Sequence, residues 1–380
     1  MKDFTALPDL AGRRLGGSVV AANDEAFAER QNLIMPEPPT FRPYTFGPRG
    51  QIYDGWETRR RREPGHDWAI VRLGLPGVVR GVVVDTAFFT GNYPPGVSVE
   101  GTAVDGYPSP DELEQADWAA LVARSPVGGD AAFAFPVDAP QRFTHVRLSI
   151  YPDGGVARLR VHGEVVADPR LLATGPLDLA ALANGGTVTG CSNDFYSSPT
   201  ALISPGEARV MGEGWETARR RDDGNDWVEF LLAGSGVVGL AELDTSHFVA
   251  NAPGWAALRC RRGPDEDWAD LLPRQRLQPD TVHRFRLAAG PEVTQVRLDV
   301  FPDGGMARVR LWGTLTGDAR GALAARWFDL LPAEQAREIL TGEYDMSPVD
   351  AAAVVAARPA GEFDRLPLPL QAGCRPVHSE

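Results

Sequence analysis

The sequence predicts an all-β protein, built as two tandem, homologous jelly-roll β-sandwich modules and closed by a short, partly helical C-terminal tail. Three observations lead there. First, Asp54-Gly-Trp-Glu-Thr-Arg-Arg-Arg-Arg62 recurs as Glu213-Gly-Trp-Glu-Thr-Ala-Arg-Arg-Arg221, and 54–101 aligns with 213–260 without a gap. Second, 142–165 aligns with 292–315 around Val146-Arg-Leu-Ser-Ile-Tyr-Pro-Asp-Gly-Gly155 and Val296-Arg-Leu-Asp-Val-Phe-Pro-Asp-Gly-Gly305, while Gly16-Gly-Ser-Val-Val20 with Leu33-Ile34 parallels Gly185-Gly-Thr-Val-Thr189 with Leu202-Ile203. Third, the shared blocks contain short, β-branched runs bounded by Gly, Pro and Asp, which is strand chemistry. The copies are too far apart for a solenoid, whose repeats run about 20–50 residues, so each must hold its own core. The expected domains are repeat one at 14–170, repeat two at 183–318 and the tail at 319–380.

Within repeat one, Val78-Val-Arg-Gly-Val-Val-Val84, Val97-Ser-Val-Glu100, Phe143-Thr-His-Val-Arg-Leu-Ser-Ile-Tyr151 and Val156-Ala-Arg-Leu-Arg-Val-His162 read as strands. Val156, Leu159 and Val161 break strict alternation, which predicts a bulge or twist in the last of these. Pro152-Asp-Gly-Gly155 supplies the positive φ of a tight hairpin. Two segments read as helices: Pro110-Asp-Glu-Leu-Glu-Gln-Ala-Asp-Trp118, and in the tail Pro332-Ala-Glu-Gln-Ala-Arg-Glu-Ile-Leu340, which has proline and an acidic residue in its first turn.

A net charge of −13 over 380 residues argues against a nucleic-acid partner. The arginine runs 59–62 and 219–221 are positive islands that suit a small anion. Lysine occurs only at Lys2, so lysine Schiff-base chemistry is excluded. Cys191, Cys260 and Cys374 have no metal-ligand spacing, and His66, His145, His162, His247, His283 and His378 form no metal-binding pair. No metal or other cofactor is expected. There is no apolar run of about eighteen residues, and the opening residues lack a basic region followed by an apolar one. A cytoplasmic protein without a membrane partner is the resulting expectation.

The chemistry-bearing positions are those repeated. Glu57 and Glu216 lie beside arginines, which reads either as a site binding a substrate carboxylate or as a structural ion-pair cluster. Asp67-Trp68 and Asp226-Trp227 read as a turn-capping aspartate and a buried tryptophan. Preceding them is His66 in one copy and Asn225 in the other, so only copy one carries a group titrating near neutrality here. Asp85-Thr86 and Asp244-Thr245 follow a strand and lead to Asn92 and Asn251, at loop positions that commonly carry sites. There Phe88 faces His247, so each copy holds a histidine that the other lacks. Asp153 and Asp303 read as hairpin-turn residues.

Asp54-Gly-Trp-Glu-Thr-Arg-Arg-Arg-Arg62, Gly65-His-Asp-Trp68, Asp85-Thr86 and Gly91-Asn-Tyr-Pro94, with their second-half counterparts, resemble allantoicase, the allantoate amidinohydrolase family. The resemblance spans roughly 14–318. It implies two galactose-binding-type jelly rolls and the conversion of allantoate and water to ureidoglycolate and urea, a step of purine and allantoin degradation. Copy two departs from the family pattern at Ala218 and at Phe248-Val-Ala-Asn251, where the family more often shows Phe-Lys-Gly-Asn. In the tail, Phe328-Asp-Leu-Leu-Pro-Ala-Glu-Gln-Ala resembles over a short span the opening of the ureidoimidazoline decarboxylases; a helical cap or a homo-oligomer contact is the expected role.

On that reading Arg60, Arg61 and Arg62 hold the substrate carboxylate. Glu57, His66 and Asp67 form the acid/base pool, joined by Glu216 and His247 from copy two. Asp85, Asn92, Asp226, Asp244 and Asn251 orient the ureido groups. The competing class is a non-catalytic binding protein for sugars or ureides, since fold alone does not grant activity.

Overall fold

The computed structural model describes residues 3–48, 50–288 and 290–375; Lys2 and His378 lie outside the described residues. Each repeat is organised by one long strand that serves two layers. In repeat one this is Asp67–Asp85, nineteen residues, of which the expected 78–84 strand is only the second half. Its first half pairs with Ser18–Ala22 and with the central strand Arg142–Tyr151. Its second half pairs with Arg158–Val165 and Ala132–Pro136. Between them, at Leu73-Gly-Leu-Pro-Gly77, the register with the central strand shifts. Glycine and proline there look like a strand end in sequence, yet they form the corner of a sandwich.

The central strand also pairs with Gly96–Thr102, which in turn carries Ala119–Pro126. Ile70, Val71, Val82, Val84, Val146, Leu148, Ile150, Leu159 and Val161 are fully buried in the core. The expected irregularity near Val156 is a true break: Gly155–Val156 is a separate short strand, and Arg158–Val165 resumes after Ala157, whose N–H is donated to the Asp85 carbonyl at 2.7 Å. Repeat two repeats the plan with Asp226–Asp244 as its long strand and Val293–Phe301 as its central one.

The first predicted helix covers Pro110–Gln115, capped by Ser109, whose hydroxyl accepts the Glu112 N–H while the Glu112 carboxylate answers at the Ser109 N–H. In the tail, Ala333–Gly342 is accompanied by Gly317–Leu330, Pro348–Ala356 and Leu368–Gly373, which the sequence reading did not foresee. The helices divide between two compact units, one of 1–166 with 330–356 and one of 167–329 with 357–380. In the first unit the Gln335 side-chain amide donates to Asp105 at 2.6 Å; in the second, Arg358 lies over the Phe328 ring. No helix among the described residues is long and apolar enough to cross a membrane.

His145, on the central strand, is buried, with Nδ1 2.8 Å from the Thr144 hydroxyl. Burial, helped by the Arg72 guanidinium, pushes its pKa down to about 4. The unfolded chain takes up this proton near pH 6.5, whereas the folded chain resists it down to about pH 4, so the contribution is complete above 6.5 and is lost as pH falls through that window. About 3 kcal/mol is at stake. Urea titrations of the parent and of His145→Gln, the residue found at Gln295 in repeat two, will show a smaller loss in the variant between pH 7 and pH 4.5. An equal loss contradicts the assignment.

Candidate active site

The site of each repeat is assembled around the Pro-Asp-Gly-Gly turn. In repeat one the short strand Trp56–Glu57 pairs with Gly155–Val156 on one side and forms a bridge to Ala28 on the other. The Trp56 ring is fully buried and its Nε1 donates to the Asp24 carbonyl at 2.8 Å. Thr58 is buried as well, and its N–H is donated to the Gly154 carbonyl. Successive strand side chains alternate in direction, so burying residues 56 and 58 turns Glu57 and Arg59 outward.

Glu57 does not meet an arginine. Its Oε1 accepts a 2.6 Å hydrogen bond from the Asn92 amide. Burial pushes its carboxyl above the ordinary value, and the Asn92 bond draws it partly back. Asn92 is fixed in turn because its carbonyl accepts the Gly155 N–H at 2.7 Å. Gly155 lies flat on Phe89, where a Cβ would stand 2.0 Å from the ring, so no other residue fits there. Repeat two builds the same pair: Asn251 donates to Glu216 Oε1 at 2.6 Å, and Gly305 N–H to the Asn251 carbonyl at 2.8 Å.

The arginine of the motif goes elsewhere. Arg61 N–H is donated to Asp153 Oδ2 at 2.7 Å, and Arg61 Nη1 reaches the buried Asp67 at 2.6 Å. Asp67 also accepts from Asn23, whose Oδ1 takes the Trp68 N–H. Arg220, Asp303, Asp226 and Ser192 repeat this arrangement. For Arg61 and Asp67 the structure therefore shows the ion-pair cluster. Trp68 and Trp227 are only half-buried, because alternation aims them at the outer sheet face; the fully buried tryptophans of the repeated motif are Trp56 and Trp215.

The other expected residues are placed as follows. Arg60 and Arg62 are exposed. His66 packs on Tyr151 at 4.8 Å; burial, then the Arg147 and Arg61 guanidiniums, hold its pKa below the ordinary value. Asp85 and Asp244 each accept the N–H two residues on, at 2.8 Å, and thereby shape the turn. His247 has φ 71°, matching Phe88 at 68°, and its Nε2 lies 2.9 Å from the Ala208 carbonyl. Among the described residues no group of His, Cys, Asp and Glu is arranged to hold a metal ion.

Sequence reasoning missed Asp24 and the anchoring role of Asp153. Asp24 accepts the N–H of Arg59 and of Ala26, and its Oδ2 lies 2.7 Å from Arg59 Nε. Carrying the upstream alignment on from Val20 would have set Asn23-Asp24 against Ser192-Asn193 and flagged both. An open cleft of about 640 Å³ is lined by Ala22, Asn23, Asp24, Glu25, Ala26, Phe27 and Arg59. Its wall adjoins the pair described above, since the Phe27 and Ala28 N–H groups are donated to the Glu57 carbonyl.

The comparisons with known proteins agree on one family. A family model described as the allantoicase repeat matches residues 8–166 and 177–316. A probable allantoicase of Nocardia farcinica is 60% identical over 319 residues, covering 83% of this chain and 97% of that protein. One from Streptomyces coelicolor is 54% identical over 340 residues, 86% and 90% of the two chains. Among solved structures, the allantoicase crystal structure from Saccharomyces cerevisiae matches with a TM-score of 0.70 at 33% identity, covering 81% of this chain and 93% of that one.

Removing the Arg61 side chain leaves the buried Asp67 carboxylate without its cation. Such a loss costs about 3 kcal/mol or more. Arg61→Gln is therefore expected to lower the unfolding free energy of repeat one, read from its urea midpoint and slope, by that amount; a change under about 1 kcal/mol would mean the pair is no more than a surface bridge.

Proposed function

The chain belongs to the allantoicase family and is a hydrolase converting allantoate and water to ureidoglycolate and urea; from that premise we propose that the Glu57–Asn92 pair of repeat one is its proton-transfer centre. A protein that only binds is not favoured by these relatives. The observation that carries the proposal is a half-buried carboxyl, held above its ordinary pKa, whose side-chain hydrogen-bond partner is a neutral amide rather than a cation.

Allantoate carries a carboxylate and two ureido groups on one carbon. In the proposed step the protonated Glu57 gives its proton to one ureido nitrogen, and the bond from that nitrogen to the central carbon breaks, releasing urea. The lone pair of the remaining ureido nitrogen supports the cationic carbon. Glu57, now a carboxylate, takes a proton from the water that adds there and is restored. An acid matched to this role combines a raised pKa with a fixed position, and burial with the Asn92 bond supplies both. His66, held neutral beside Tyr151, is a reserve base of the same repeat. The substrate carboxylate falls to the exposed guanidiniums of the 59–62 run, Arg61 being spent on Asp67. Asp85, Asp244, Asp226 and Asn251 hold loops and partners in this reading. The three cysteines are free, which supports a reducing, cytoplasmic location.

Glu57→Gln keeps the shape and removes the proton. It is expected to fold as the parent does and to lose about 10²–10⁴-fold in kcat by urea release; near-parental turnover removes Glu57 from the role. Asn92 favours the carboxylate form, so Asn92→Ala raises the Glu57 pKa further and moves the alkaline limb of the kcat profile to higher pH. A limb that moves down contradicts the pairing.

A further inference from the structure

We propose that Arg59, oriented by Asp24, is the carboxylate-binding subsite of repeat one, and that repeat two has lost this subsite through Ala218 and Asn193. The proposal rests on reading the Glu57 face as the reaction face. Arg59 is two residues from Glu57, about 7 Å along an extended chain, and lines the cleft whose Phe27 wall is hydrogen-bonded to the Glu57 carbonyl. Its side chain is 72% exposed, while the Asp24 side chain beside it is only 11% exposed.

Asp24 engages Arg59 through Nε. Arg carries five N–H donors in a planar fork, so this contact leaves the terminal amino groups for a second, bidentate partner. The other acid of the cleft wall, Glu25, is turned to Arg30 at 3.2 Å. A carboxylate entering the cleft thus meets a pre-oriented guanidinium, with Arg60 and Arg62 raising the local potential.

Repeat two separates what the fold needs from what the ligand needs. Asn193 Oδ1 still accepts the Ala218 N–H at 3.2 Å and the Phe195 N–H at 3.0 Å, and its carbonyl still accepts Trp215 Nε1 at 2.8 Å. The loop is therefore built without either charge. In repeat one the carboxylate at 24 and the guanidinium at 59 are additions to a turn that forms without them. Arg219 and Arg221 persist in repeat two, so Arg60 and Arg62 do not account for the difference between the copies. At the corresponding rim, repeat two instead exposes Phe195 and Tyr196, 72% and 64% accessible.

The test compares allantoate with its neutral primary carboxamide, used as a competitive inhibitor. In the parent, the KM for allantoate is expected to lie roughly 10–100-fold below the inhibition constant of the carboxamide, the value of one charge-assisted carboxylate contact. In Arg59→Ala that KM rises by the same factor, kcat stays within a few fold, and the inhibition constant of the carboxamide does not change. Arg59→Lys retains part of the preference. Asp24→Asn/Arg59→Ala, which installs the residues with which repeat two folds, behaves as Arg59→Ala and serves if the single variant is unstable. An Arg59→Ala enzyme that keeps the parental carboxylate preference overturns the proposal, as does loss of that preference in Arg60→Ala/Arg62→Ala alone. A failure of Glu57 as the acid is read separately, because it alters kcat and leaves the acid-to-amide ratio intact.

Discussion

Everything in the repeat-one site hangs from the turn Pro152-Asp153-Gly154-Gly155. The Pro152 carbonyl accepts the Asp67 N–H, the Gly154 carbonyl that of Thr58, and Asp153 Oδ2 that of Arg61. Gly155 donates to Asn92, which holds Glu57. Segments distant in sequence are thus fixed to one another by four consecutive residues. The turn itself can come so close only because Gly155 has no side chain to meet Phe89 and because Gly154 takes φ 142°. Repeat two preserves the contacts at Pro302, Asp303 and Gly305, and ties Gly304 to the Thr217 hydroxyl. Duplication has kept the joint and let the surrounding chemistry vary.

The variation runs both ways, since repeat two carries His247 where repeat one has Phe88. At three corresponding positions repeat one carries a titratable side chain and repeat two a neutral amide: Asp24 and Asn193, His66 and Asn225, His145 and Gln295. The replacements preserve hydrogen bonding. Asn225 donates to Asp299 at 2.9 Å, and Gln295 accepts from Arg261 at 2.7 Å. Repeat two thus retains a folded scaffold and a Glu216–Asn251 pair while lacking the Asp24 carboxylate and the His66 and His145 imidazoles. This asymmetry is the physical ground for placing the proposed proton transfer in repeat one.

The duplication, the all-β class and an irregularity near Val156 were legible because they follow from local patterns: identity between blocks, period-two alternation and turn chemistry. The Pro152-Asp-Gly-Gly155 turn is not the expected hairpin, since Arg142–Tyr151 and Arg158–Val165 each pair with Asp67–Asp85 and Gly155–Val156 pairs with Trp56–Glu57. The partners of the charged residues were not. Adjacency in sequence suggested that Glu57 meets the arginines after it, whereas a strand sends neighbours to opposite faces and Arg61 is pulled aside by Asp153 and Asp67. Asn92 reaches Glu57 only through the turn, and no spacing rule announces that contact. The bend at Leu73-Gly-Leu-Pro-Gly77 was hidden for the opposite reason, since residues that usually end a strand here carry it from one layer to the other. The tail helices owe their burial to tertiary packing, as in Trp327 and Phe328, rather than to strong local signals.

The central claim is that allantoate reacts at the Glu57–Asn92 pair of repeat one. Its most direct test is a crystal structure of the Glu57→Gln protein soaked with allantoate. The account predicts the ligand in the Ala22–Phe27 cleft, with one ureido nitrogen within hydrogen-bond distance of residue 57 and the carboxylate on Arg59. Allantoate bound away from residue 57, with repeat one empty, would contradict it.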